Sequence, residues 1–155
     1  MAVKPIPEGY HALTPYLVVK GAAAALDFYA RAFGAKELLR MADPSGRIGH
    51  AEMKIGDSAF MLADEHPEVG AVAPPASGGH YLTLLLYVPD VDATFKRAIA
   101  AGATEVKPVQ LQFYGDRSGR LRDPFGHEWT LATHVEDVPH EEMDRRAREM
   151  AKQTG

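Results

Sequence analysis

The sequence predicts an α+β domain built from two βαβββ modules and followed by a C-terminal helix. Three observations predict it. The order strand, helix, glycine, strand, strand, turn, strand occurs twice, offset by roughly 70 residues, which is too long for a solenoid unit and suits a duplicated module. Local echoes accompany the repeat: GRI at 46–48 with GRL at 119–121, and FMLA at 60–63 with WTLA at 129–132. The strand-to-helix connections are short, so each helix folds back onto its sheet.

Residues 16–20 (YLVVK) read as a short buried strand, β-branched and preceded by Pro15. The next stretch places Ala25, Phe28, Tyr29, Ala32 and Phe33 at helical spacing, and Gly34 stops the helix. Residues 37–41 form the second strand, with Asp43-Pro44-Ser45-Gly46 as a turn. Residues 47–55 alternate, with Ile48, His50, Glu52 and Lys54 on one face; Gly56-Asp57 marks a hairpin into a strand at 58–63. Residues 64–79, rich in proline, glycine and alanine, read as a linker.

The order then restarts. Residues 81–88 (YLTLLLYV) form an apolar strand. Asp90 or Asp92 caps a helix running to Ala101, and Gly102 ends it. Residues 104–113 are extended and broken by Pro108, 119–122 are a strand, Asp123-Pro124-Phe125-Gly126 a turn, and 127–133 the last strand. The division is one domain at 1–138, with module one at about 10–65, a linker at about 66–79 and module two at about 80–138. A helical tail follows at 139–155. Glu141 and Glu142 suit its start, and Met143, Ala147 and Met150 give it a narrow apolar stripe for its own domain or for a dimer contact.

Composition narrows the function. The 155 residues carry a net charge of −4 and no basic run, so neither nucleic acid nor a membrane surface is an expected partner. No stretch approaches the ~20 apolar residues of a membrane span. The first ten residues lack a signal-peptide core. Cysteine is absent, which excludes disulfides, thiolate metal sites and a cysteine nucleophile and fits a cytoplasmic protein. There is no G-x-S-x-G, Walker loop or G-x-G-x-x-G.

Three segments carry a resemblance. TPYLVVKGAAAALDFYARAFGA resembles the opening of many glyoxalase/bleomycin-resistance/dioxygenase proteins, the vicinal-oxygen-chelate superfamily. GHAEMKIGDSAFMLAD resembles the following hairpin of its PhnB-like branch, and YGDRSGRLRDPFGHEWTLATHVEDV closely resembles that branch's closing segment. Together they cover most of residues 10–138. The resemblance implies paired βαβββ modules forming a curved mixed sheet around a small-molecule cavity, commonly in a homodimer.

In metal-dependent members, His and Glu or Gln from the first and last strands of each module bind a divalent cation. Carried onto this chain, those positions become Thr14, Met61 (Leu62 is one residue away), Thr83 and Thr130. Hydroxyls and a thioether are poor donors for such a cation, so no metal site or other cofactor is expected, although a divalent metal stays open. His50 and Glu52 share a strand face, as a functional pair or as a cross-strand polar contact. With Asp116 they are the candidates for acid–base catalysis. His80 sits in a glycine-rich loop.

Residues 113–122 (FYGDRSGRLR) are the most informative for a ligand. Gly115 signals a sharp turn or close backbone approach. Tyr114 offers an amphipathic ring. Asp116 and Arg117 point to opposite faces, and Arg117 or Arg120 suits an anion clamp. The expected ligand-binding set is Thr14, Tyr16, Met61, Thr83, Tyr114, Arg117 and Thr130, apolar with a few hydroxyls and suited to a small, partly aromatic molecule. Trp129 falls on the opposite face as core. Three functions stay open: a small-molecule-binding protein without the usual metal site, a metal-dependent lyase, isomerase or dioxygenase-like enzyme, and a dimeric interaction module with a vestigial cavity.

Overall fold

A computed structural model describes residues 3–75 and 82–154. The anticipated start of the second module's strand at Tyr81, the end of the linker and His80 lie outside these residues. Module one runs β1 (Tyr16–Val19), α1 (Ala22–Phe33), β2 (Lys36–Ala42), β3 (Ile48–Ile55) and β4 (Ser58–Asp64). Module two runs β5 (Thr83–Tyr87), α2 (Val91–Ala100), β6 (Thr104–Leu111), β7 (Asp116–Arg122) and β8 (Glu128–His134), and α3 (His140–Gln153) closes the chain. The strands form two four-stranded mixed sheets of the same topology, β1-β4-β3-β2 and β5-β8-β7-β6. In each, the first strand pairs parallel to the last and the other pairs are antiparallel.

The duplication extends to how each helix begins. α1 starts at Gly21, which has no side chain to cap it, so a distant residue supplies the acceptor. Asp64 Oδ1 accepts from the backbone N–H groups of Gly21 and Ala22 at 3.0 and 2.8 Å, and its Oδ2 accepts from Ile48 N–H at 2.8 Å. In α2, Asp90 accepts from Ala93 N–H at 3.1 Å, and Thr133 Oγ accepts from Val91 N–H at 2.9 Å. Asp64 and Thr133 hold the same place, each following the alanine that pairs with the first strand (Ala63 with Val18, Ala132 with Tyr87). Asp64 is therefore a structural residue of module one and not the start of a linker. That segment then makes a 3-10 turn at Pro67–Val69 and an isolated bridge between His66 and Ala71.

Pairing register corrects one of the two echoes. Phe60–Ala63 and Trp129–Ala132 are equivalent, because Met61 faces Tyr16 as Thr130 faces Leu85. The GRI/GRL match is not structural. Gly119 pairs with Leu131 as Ala51 pairs with Leu62, so Gly119 answers to Ala51, while Gly46 lies in the turn before β3. β7 also begins earlier than the sequence suggests, at Asp116, because Gly115 adopts φ 101° and turns the chain at once into the strand.

Both helices pack on the same side of their sheets as one core. Phe28, Tyr29 and Phe33 of α1 meet Phe60 of β4 and Phe125 and Trp129 of module two, with Phe33 and Trp129 ring centroids 4.8 Å apart. Burying such side chains contributes roughly 1.5–3 kcal/mol each. The seam is also polar. Asp123 Oδ2 accepts from the Tyr29 hydroxyl at 2.6 Å and from Trp129 Nε1–H at 3.0 Å, both buried. α3 buries no residue fully. Arg146 holds it against the body through the Phe113 carbonyl at 3.1 Å and Glu136 at 3.0 Å.

Candidate functional site

With the helices on one face, strand alternation assigns the residues of the open face. On sheet one, the central row is Tyr16–Met61–Glu52–Leu39. On sheet two, it is Leu85–Thr130–Arg120–Lys107. These rows occupy equivalent positions in the two modules. Large apolar side chains stand exposed on both: Tyr16, Leu39, Leu85 and, one row away, Met41 and Tyr87.

On sheet one, the row supports a hydrogen-bonded chain. The carboxylate of Glu52 can only accept, so the shared proton sits on His50 Nε2, 3.0 Å from Glu52 Oε2. In that tautomer His50 accepts at Nδ1 from the Tyr16 hydroxyl, 2.8 Å away. Partial burial lifts the Tyr16 phenol above its ordinary value, so it stays a hydrogen-bonding group. The sequence paired His50 with Glu52; it did not indicate that Tyr16, two strands away, completes the chain.

On sheet two, a cavity of about 280 Å³ lies over the central row and includes Leu85, Lys107, Gln110, Tyr114, Arg120 and Thr130. A second cavity of about 260 Å³, largely apolar, opens at the seam between the sheets, where Phe60 and Ala59 of β4 approach Leu84–Leu86 and Trp129 beneath residues 11–15. Leu85 lines both. At the far end of sheet two, the buried Asp116 accepts from the Tyr87 hydroxyl at 2.9 Å and from His134 Nδ1–H at 2.8 Å. His134 Nε2–H donates to Asp137 at 2.7 Å. Asp116 first, and then Asp137, hold the imidazole above its ordinary value, since both favour the doubly protonated ring.

The expected ligand set is thus divided. Tyr114 and Thr130 line one cavity, and Thr83 lies on the same open face, opposite Glu128. Tyr16 and Met61 face each other on the other sheet. Two placements are corrected. Thr14 precedes β1 and donates to the His11 carbonyl at 3.1 Å, because Pro15 interrupts the strand; Tyr16 is the first inward residue of β1. Arg117 lies on the helix face and makes two hydrogen bonds, at 2.7 and 2.8 Å, with Asp92 in the first turn of α2. Asp116, an acid–base candidate, is held from both sides by Tyr87 and His134. Trp129 packs in the core, as expected.

The donor set for a metal can be tested on the positions the resemblance singles out, with Tyr16 in place of Thr14 as the first inward residue of β1: Tyr16 and Met61 in module one, Thr83 and Thr130 in module two. A phenol, a thioether and two hydroxyls do not fit a hard or borderline divalent cation. Among the described residues, no group of three His, Asp or Glu side chains converges to hold one.

Comparison with known proteins places this geometry. The family model of the Glyoxalase/Bleomycin resistance protein/Dioxygenase superfamily matches residues 10–131. An uncharacterized protein of Mycobacterium tuberculosis is 44% identical over 135 residues, spanning 85% of this chain and 79% of its own length. The crystal structure of TioX from Micromonospora sp. ML1 superposes with a TM-score of 0.64 at 31% identity, covering 81% of this chain and 99% of that one. A PhnB protein from Bacillus cereus, at 20% identity and a TM-score of 0.61, shares the fold over 79% of this chain and 99% of its own.

Proposed function

Because the chain belongs to the Glyoxalase/Bleomycin resistance protein/Dioxygenase superfamily, we propose that it binds a small, partly aromatic molecule on the open face of its second sheet, without the superfamily's divalent-metal chemistry. One observation carries this: Thr83 and Thr130, the second-module positions that the resemblance makes metal ligands, offer only hydroxyls, and Leu85 and Tyr114 stand beside Thr130. Such a surface gives a ring an apolar seat and a few hydroxyls to orient it. The cavity of about 280 Å³ suits a single-ring ligand.

A melting-temperature screen against single-ring compounds tests the proposal, since a molecule that binds only the folded state raises its stability. Leu85→Trp intrudes on both cavities from an exposed position and should abolish the shift. A wild-type protein that no such compound stabilises, or a shift that survives Leu85→Trp, contradicts it.

A homodimer belongs to the same proposal. β2 exposes Leu38, Leu39 and Met41, a row that a second copy would cover. Sedimentation at micromolar concentration tests this; a monomer refutes it.

A further inference from the structure

The open face of sheet two holds a charge arrangement that a purely neutral ligand leaves unexplained. Arg120 of β7 and Lys107 of β6 are direct cross-strand partners. Like charges so placed repel each other, because facing side chains start roughly 5 Å apart. Arg120 is half-buried, and its Nε is buried with no hydrogen-bond partner among the described residues. A guanidinium partly stripped of water is costly unless an acceptor compensates it. Other arginines show the usual remedy: Arg117 has Asp92, Arg122 has Glu128, and Arg146 has Glu136 and Glu142. Among the described residues, no carboxylate forms an ion pair within 4 Å with Arg120 or Lys107. The equivalent row of sheet one has the opposite character, with Glu52 at the position of Arg120 and Leu39 beside it.

We infer that Lys107 and Arg120 form an anion subsite and that the molecule bound over Thr130 is an organic carboxylate. This rests on the small-molecule reading above and specifies its ligand class. A carboxylate between the two cations removes their repulsion and supplies the guanidinium with a planar acceptor. The rest of the cavity favours an organic anion over inorganic phosphate: Leu85, Pro108 and the Tyr114 ring offer apolar contact to a body attached to the charge. Gln110 and Thr130 add neutral hydrogen-bonding groups.

The test is a titration of the full chain at low ionic strength, followed by amide NMR, with benzoate, its neutral isostere benzamide and inorganic phosphate. Benzoate should saturate, shift the amides of Lys107, Arg120 and Thr130, and bind at least about tenfold more tightly than either comparator. Arg120→Gln, shown by circular dichroism to fold, should weaken benzoate by at least about tenfold and leave benzamide unchanged, with Arg120→Lys falling between. Equal binding of benzoate and benzamide overturns the anion subsite while leaving the cavity intact. Phosphate binding as tightly as benzoate overturns the organic carboxylate. Unchanged benzoate affinity in Arg120→Gln overturns the role of Arg120. Shifts from none of the three probes overturn both the subsite and the cavity.

Discussion

The Tyr29 hydroxyl donates to Asp123 at 2.6 Å, joining the first module's helix to the turn that opens the last strand of the second. Trp129 Nε1–H donates to the same oxygen, and the backbone N–H groups of Phe125 and His127 donate to the other. One buried carboxylate thus satisfies four donors from both halves of the duplication. Asp123→Ala leaves several buried donors without an acceptor and should cost about 3 kcal/mol or more. Tyr29→Phe, which removes one bond, should cost about 1–2 kcal/mol. Urea denaturation reads both, and a smaller effect for Asp123→Ala than for Tyr29→Phe would contradict this account.

Tyr29 also predicts an alkaline limit. Burial first, and then the Asp123 charge, raise its hydroxyl well above the ordinary tyrosine value. Above about pH 10 the unfolded chain loses this proton while the folded chain keeps it. Stability contributed by Tyr29 is therefore present below pH 10 and is lost as pH rises beyond it. The melting temperature of wild type should fall there more steeply than that of Tyr29→Phe; parallel curves would refute the assignment.

Gly119 tests the packing beneath the open face of sheet two. A Cβ at this position would lie 2.9 Å from Val109 Cγ2, 3.0 Å from Phe95 Cε2 and 3.0 Å from the Val109 backbone nitrogen. The backbone atom has no rotamer with which to yield, so Gly119→Ala should cost about 1–3 kcal/mol. Gly49→Ala, whose Cβ meets nothing within 4 Å, is the control and should be nearly neutral.

Much of this fold is written locally. Helix stops at Gly34 and Gly102, the apolar runs of β1 and β5 and the proline-led turns follow from nearest-neighbour chemistry, and the module repeat orders them. The errors fall where the deciding partner is remote. Asp123 reads as a turn residue because Tyr29, which gives it its second role, lies 94 positions away. Arg117 looks like a ligand residue until α2 brings Asp92 beside it. The resemblance puts Thr14 in the first strand, and a motif match cannot show that Pro15 ends the strand before reaching it. Alternation places Arg120 on the face opposite Gly119 and Leu121, but that it stands beside Thr130 and Lys107 emerges only once β6, β7 and β8 are paired.

His134 should hold its second proton to higher pH than an ordinary imidazole. Its imidazole lies between Asp116 and Asp137, which raise it above the ordinary value near 6.5. A raised native value means that the stabilisation is complete below about pH 6.5 and fades as pH climbs through the value in the folded state. Proton NMR should find His134 titrating late, and Asp116→Asn, which removes the stronger partner, should move it earlier. No movement in that variant would place the cause elsewhere.

The chain Glu52–His50–Tyr16 makes a prediction about proton position that a mere surface contact does not. If Glu52 accepts from His50 Nε2–H and Tyr16 donates to Nδ1, neutral His50 must populate the Nε2–H tautomer. Nitrogen-15 shifts of the imidazole distinguish the two tautomers. Glu52→Gln replaces the carboxylate with an amide that can donate as well as accept, so it should relax the preference; Tyr16→Phe should leave the Nε2–H form dominant, because Glu52 alone enforces it. An Nδ1–H tautomer in wild type would mean that Tyr16 accepts rather than donates, and that its hydroxyl proton is free to point at a ligand across the open face of sheet one.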